Sequence, residues 1–298
     1  YLKKSAVYYI AVLPGVFEKG FSLELDIDGE RRKVRTLLKK YTVRSNRILD
    51  MGAIEDTGWD ESLTDSIDDV PVDDDGWAVL ARPEEFAALL MHGGKAGSSY
   101  RIAADLDMKL MSETVSAKIT DDVLFHDITV DGAGHVISNL RLPYARGVFS
   151  RVSDFYAYDL EFSAVSIGEA SPYSNTAGTG VLIGEAFGTL VLDNVDIYDS
   201  KVIAACKTGG LVGAIYEGNA SIDGCSVSGS DVSTVWIESV SGQCGGFIGY
   251  IGRTDEGPTA DRSLSVEAVI SDCKVDDTSV KAHISRVERP AGVFVGAV

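Results

Sequence analysis

Apolar and polar positions alternate with a period of two through much of this chain, which marks strands with one buried face. Between the strands a short phrase recurs: Gly180-Val-Leu-Ile-Gly184, Gly210-Leu-Val-Gly213, Gly246-Phe-Ile-Gly249 and Gly292-Val-Phe-Val-Gly296, with a weaker copy at Gly147-Val-Phe-Ser150. Successive first glycines lie 33, 30, 36 and 46 residues apart. Self-similarity at such a period predicts a repeat architecture. The glycines are expected at sharp turns, where a positive φ is required.

A second phrase accompanies the first: Asn139-Leu-Arg-Leu142, Asp159-Leu-Glu-Phe162, Asn194-Val-Asp-Ile197, Gly224-Cys-Ser-Val227 and Asp272-Cys-Lys-Val275. In each, a polar or small residue precedes an apolar-polar-apolar triplet. Each repeat therefore reads as strand, turn, strand, turn, strand. One repeat has too few apolar residues to bury a core alone, so stacked repeats must align their Val, Ile, Leu, Phe and Cys side chains in ladders. The expected fold is all-β: a right-handed parallel β-helix with an N-terminal capping helix, preceded by a partial antiparallel β-sandwich.

The domain boundaries follow from the same pattern. Residues 1–54 contain an apolar run from Ala6 to Leu13 and a strand over Phe21–Ile27. Asp28-Gly29 supplies a hairpin turn, Val34 to Leu38 runs back, and Tyr41 to Met51 offers a fourth strand. Residues 55–76 hold ten acidic residues and no basic ones, which predicts a solvated linker. They lack the ligand spacing of a calcium loop. Residues 77–298 carry the repeats. Within them, residues 82–92 predict a helix: Pro83 opens it, Glu84 and Glu85 suit its positive end, Phe86, Leu89 and Leu90 form its stripe, and Gly93-Gly94 stops it. Such a helix can close the open end of a first repeat.

Charge narrows the partners. The net charge is −18, with a basic first fifty residues and a strongly acidic remainder. That balance disfavours nucleic acid and anionic membrane surfaces. No apolar run is long enough to span a membrane. The chain reads as a piece from which an export signal has been removed.

The four cysteines, Cys206, Cys225, Cys244 and Cys273, form no C-x-x-C pair. Cys225 and Cys273 occupy the repeat position held by Leu160 and Val195 elsewhere, so they read as small buried apolar groups. On adjacent strands they would stand about 4.8 Å apart. That separation allows a disulfide, although parallel side-chain vectors oppose one. Buried thiols are the expectation.

Two resemblances add to this reading. Tyr8-Tyr-Ile-Ala-Val-Leu-Pro-Gly15, Lys19-Gly-Phe21 and Asn46-Arg-Ile-Leu49 ahead of Gly52 resemble the last strands of the fimbrillin-like proteins of the Bacteroidetes. That resemblance implies a β-sandwich of fimbrial subunits and surface lipoproteins. The capping helix, Tyr100-Arg-Ile-Ala-Ala-Asp-Leu-Asp107, then Gly132-Ala-Gly-His-Val-Ile-Ser-Asn-Leu140 and the glycine repeats are similar, in that order, to the β-helix domains with GLUG repeats of bacterial surface proteins. That similarity implies adhesion at the cell surface or outer membrane. The partners would be an extracellular glycan, a host or bacterial surface protein, or other fimbrial subunits.

The enzyme alternative is a polysaccharide lyase or hydrolase. It would use outward carboxylates among Asp159, Glu161, Asp193, Asp196, Asp199 and Asp223, with Lys201, Lys207 or Arg253 as basic partners. A structural spacer is the third reading. His92, His126, His135 and His283 show no metal or triad spacing, and Gly132-Ala-Gly134 reads as a turn. No catalytic residue, cofactor or metal is expected. Tyr144, Tyr156, Tyr158, Tyr173, Tyr198, Tyr216, Trp236 and Tyr250 are candidates for stacking on a sugar. The insertions at 166–179 and 254–263 are candidate contact loops.

Overall fold

The computed structural model describes residues 13–17, 21–27, 30–37, 41–43, 66–112, 115–116, 123–168, 177–205, 207–229, 235–239, 243–252, 266–282, 291–292 and 294–296. The chain divides into two compact units, Tyr1–Ser62 and Leu63–Val298.

In the first unit, Phe21–Ile27 pairs antiparallel with Glu30–Leu37, and Gly15–Phe17 pairs antiparallel with Tyr41–Val43. The alternating strand and its return thus form as expected. Their Asp28-Gly29 turn lies outside the described residues, as do most of the apolar run at 6–13 and residues 44–54.

The second unit is predominantly β, with one α-helix and three large parallel sheets among its described residues. The chain visits the sheets in a fixed cycle. Phe149–Ser163 lies in the largest sheet, Ser166–Ile167 in a second and Thr179–Gly180 in a third. Ile183–Tyr198 then returns to the first, Lys201–Ala204 to the second and Thr208–Gly209 to the third. Val212–Ile215 and Cys244–Gly245 continue the same order. Each strand pairs in parallel with its counterpart one repeat away.

This register builds the core. Val130, Ala157, Leu192 and Ile222 share one column, and Ile137, Phe162, Ile197 and Val227 another. All eight are 0 % exposed. Such burial is worth roughly 1.5–3 kcal/mol for each large side chain. The next members, Ile270 and Val275, are only half-buried.

The repeat glycines align, but not in the frame their spelling suggests. The paired residues are Gly180, Gly209, Gly245 and Gly292, with Gly184, Gly213 and Gly249 behind them. Gly210 and Gly246, the expected first members, sit one place further on. None of these glycines has a positive φ. They are required by close approach: a Cβ on Gly209 would overlap the carbonyl oxygen of Val212, and one on Gly213 the backbone nitrogen of Thr179.

Positive φ is instead carried by columns at the corners. Asp159, Asn194, Gly224 and Asp272 have φ of 47°, 56°, 62° and 50° and lie in register. Asp and Asn accept this conformation better than other non-glycine residues. Asn139 belongs to a different corner, in register with Ala164 and Asp199. The five-membered second phrase therefore loses its first member.

The helix spans Pro83–His92. The Glu85 carboxylate accepts from the Ala81 and Arg82 backbone N–H groups at 2.7 and 3.0 Å, and Gly93 closes the helix in a left-handed conformation. Its burial exceeds a stripe: Phe86, Ala87, Ala88, Leu89 and Leu90 are all 0 % exposed. Phe86 reaches the rings of Phe149 and Phe162, at 6.4 and 6.5 Å.

Part of the acidic stretch is folded onto this unit. Val70 is buried, Asp68 pairs with Lys95 at 2.7 Å, and Asp73 meets Arg101 at 3.2 Å.

Candidate binding face

Inward positions of the largest sheet are filled with aliphatic and aromatic groups, so alternation sends polar groups outward. Parallel register then lines up like positions across strands. One outward row runs Arg101, Asp131, Tyr158, Asp193, Asp223, Ser271. The row beside it runs Thr129, Tyr156, Val191, Ser221, Val269. Tyr156 and Tyr158 are therefore two residues apart on one strand, both half-buried, with Asp131 and Asp193 on the flanking strands. Neighbouring strands are about 4.8 Å apart, so ring and carboxylates occupy one small area.

Past the corner the acidic character continues. Glu161 is in register with Asp196 and then Ser226. At the corner the Asn194 side-chain amide donates to Asp159 at 2.6 Å, and beside it the Ser271 hydroxyl donates to Asp223 at 2.6 Å. Burial and the charges of Asp196 and Asp105 raise the Glu161 carboxyl above its usual range. Its charged form is thus disfavoured in the folded state, and the cost is present above the ordinary glutamate range and absent below it. Glu161→Gln is expected to raise the urea midpoint at pH 7 and to change it little below about pH 4. Paired urea titrations at the two pH values check this.

Arg101 anchors the near end of the row. It bridges Asp131 at 3.1 Å and Asp73 at 3.2 Å and lies over the Trp77 ring at 4.5 Å.

The sequence-predicted residues separate into groups. Asp159, Glu161, Asp193, Asp196 and Asp223 are brought together at one corner, whereas Asp199 stands at another. Lys201 lies in the second sheet. Lys207 is buried, donates to the Tyr216 hydroxyl at 3.2 Å and stacks over Tyr216 and Tyr250. Those two tyrosines are thereby tied to a packed cluster with Phe187. Tyr144 is 66 % exposed, and Tyr198 continues the acidic side of the corner beside Asp196.

His135 meets Asp105 at 3.1 Å, and His126 approaches Asp154 at 3.9 Å. The Val136 N–H and then His135 hold the Asp105 carboxyl below its usual range. Asp154 is lowered mainly by the Thr189 N–H, which donates to it at 2.9 Å. Among the described residues no group of three His, Cys, Asp or Glu side chains has metal-binding geometry, and no helix is long and apolar enough to cross a membrane. Tyr173, Arg253, His283, Cys206, the Trp236 side chain, all of 254–263 and 169–176 of the other insertion lie outside the described residues.

The register of Tyr158 with Asp131 and Asp193, with Tyr156 two residues before it on the same strand, escaped the sequence reading. No local spelling carries it, because only the register shows which strands are neighbours.

No protein-family pattern matches this chain, and no curated protein matches it. A crystal structure named as a "putative immunoglobulin A1 protease" from Bacteroides ovatus is similar at 15% identity and a TM-score of 0.37, covering 76% of this chain and 85% of that one.

Proposed function

We propose that residues 63–298 wind as a right-handed parallel β-helix, closed at its start by the Pro83–His92 helix, and that this body displays a binding face for extracellular glycan at a bacterial cell surface. The cyclic visiting of three parallel sheets supports the winding, and parallel crossovers are right-handed in nearly all proteins. The buried helix against Phe149 and Phe162 supports the cap. The fimbrillin-like and GLUG-like phrases support the cellular setting.

The observation that carries the binding role is the placement of Tyr158 between Asp131 and Asp193, with Tyr156 beside it on the same face. Aromatic faces pack on the C–H faces of sugars, and carboxylates accept from sugar hydroxyls, so the two together orient a ring. A regular backbone holds them without a mobile loop.

A glycan array tests this, scored for both retention and cleavage. The expected result is retention of a subset of neutral or amino-sugar glycans without cleavage, reduced at least tenfold in Tyr156→Ala/Tyr158→Ala, two substitutions on a solvent face. Cleavage would favour a carbohydrate-degrading enzyme. A bare array would favour a structural spacer or a protein partner.

A further inference from the structure

Cys225 and Cys273 follow the left-handed corner residues Gly224 and Asp272 on adjacent repeats. The pairs Asp223–Ser271 and Ser226–Lys274 on either side place the two cysteines opposite each other. The Lys274 N–H donates to the Cys225 carbonyl at 2.9 Å, which pins that register. Both thiols are free. Cys225 is buried and Cys273 is half-buried.

We propose that Cys225 and Cys273 form a disulfide between adjacent repeats, closed by a small-molecule disulfide oxidant, that locks the strands Val266–Ser271 and Lys274–Asp276 onto the strands Gly218–Asp223 and Ser226–Ser228. Neighbouring parallel strands place opposed Cα atoms about 4.8 Å apart, inside the roughly 4.4–6.8 Å range of disulfides. Parallel side-chain vectors in a regular strand would hold the Cβ atoms too far apart. Neither cysteine, however, lies within a strand; each sits in the irregular residue after its corner. Each thiol donates to the carbonyl two residues earlier, Cys225 to Asp223 at 3.2 Å and Cys273 to Ser271 at 3.1 Å, so closure requires these bonds to break and the side chains to turn toward each other.

The chemistry has an order. The half-buried Cys273 loses its proton to solvent and its thiolate attacks one sulfur of the oxidant. A mixed disulfide forms, and one oxidant thiolate leaves. The Cys225 thiolate then attacks the Cys273 sulfur, the internal S–S bond forms, and the second oxidant thiolate leaves. Both protons end on the two released thiols. Two cysteines are oxidised and one oxidant disulfide is reduced to two thiols. Burial pushes the Cys225 thiol up to about 12, and Cys273 is raised as well, first by burial. Closure is therefore slow at neutral pH and quickens as pH rises.

The lock has a place to act. The inward residues Ile270 and Val275 on the clipped strands are half-buried, whereas their counterparts Ile222 and Val227 are 0 % exposed. The less covered strands gain most from a covalent tie.

The test incubates the unmodified protein with oxidised glutathione at pH 8, quenches with acid, alkylates the remaining thiols in denaturant and maps the peptides by mass. The expected product joins the Cys225 and Cys273 peptides, lighter by two hydrogen atoms. It should melt about 5–10 °C higher than the reduced protein, and Cys273→Ser should show neither product nor shift. The proposal is overturned by a persistent glutathione adduct on Cys273 without the internal link, by thiols that stay unreacted, by a link that uses Cys206 or Cys244 instead, or by a linked form that melts no higher.

Discussion

Gly213→Val is expected to unfold the stacked repeats, with a loss above about 4 kcal/mol. A Cβ at this position would overlap the Thr179 nitrogen and press on the Gly178 carbonyl carbon and the Gly184 oxygen. All three are backbone atoms of the preceding repeat, so no side chain can rotate away. Relief requires the two repeats to separate, and separation breaks the parallel pairing of Ile183 with Val212 and of Thr179 with Thr208. It also uncovers Leu182 and Leu211, both 0 % exposed. Gly134→Ala is the informative contrast. That glycine has φ of 74° but nothing within 4 Å of its would-be Cβ, so its cost is the left-handed conformation alone, about 1–2 kcal/mol. Urea midpoints of both variants check the difference. Comparable losses at the two sites would mean that backbone conformation, rather than the spacing of repeats, sets the glycine requirement.

That distinction also explains how much the sequence reveals. The repeat was legible because close approach leaves only glycine, and glycine recurs wherever approach recurs. Its frame was not legible, because Gly209-Gly210 and Gly245-Gly246 each offer two candidates and only strand register chooses between them. The column Leu160, Val195, Cys225, Cys273 was readable because inward positions keep their apolar character through substitution. Asn139 misled because more than one corner carries left-handed residues and Asp or Asn serves at both: Asp159 and Asn194 at one, Asn139 and Asp199 at the other.

The helix was placed within one residue, yet its full burial was hidden. Ala87 and Ala88 add no stripe to the pattern but permit neighbours to pack on that side. The acidic stretch shows the reverse failure. Composition announced a solvated linker, while Asp68 and Asp73 find Lys95 and Arg101 more than twenty residues later. A run of like charge says nothing of distant partners. The binding face was the least legible element, since its residues lie on different repeats and come together only through pairing.

Phe149→Ala is the second large effect, at about 3–5 kcal/mol. Phe149 is 0 % exposed and stands among three aromatic neighbours. Phe125 meets it edge-on at 5.0 Å, Phe155 is tilted at 4.9 Å, and Phe86 of the helix meets it edge-on at 6.4 Å. Each pair adds about 0.5–1.5 kcal/mol beyond burial. The Phe149 backbone is held by the pairing with Ile183 and by the hydrogen bond from its N–H to the Leu182 oxygen at 2.8 Å, so the strand cannot slide in to fill the space. The cavity would lie between the helix and the repeats, and helix contact should loosen before the later repeats do. Hydrogen exchange of the amides in Pro83–His92 would then rise more than that of Val212–Ile215. Tyr144→Ala, at a 66 % exposed ring, should change stability by less than about 0.5 kcal/mol. If Phe149→Ala speeds exchange equally throughout both segments, the helix and the repeats unfold as one cooperative body, and the helix acts as an integral layer of the core rather than as a separable cap.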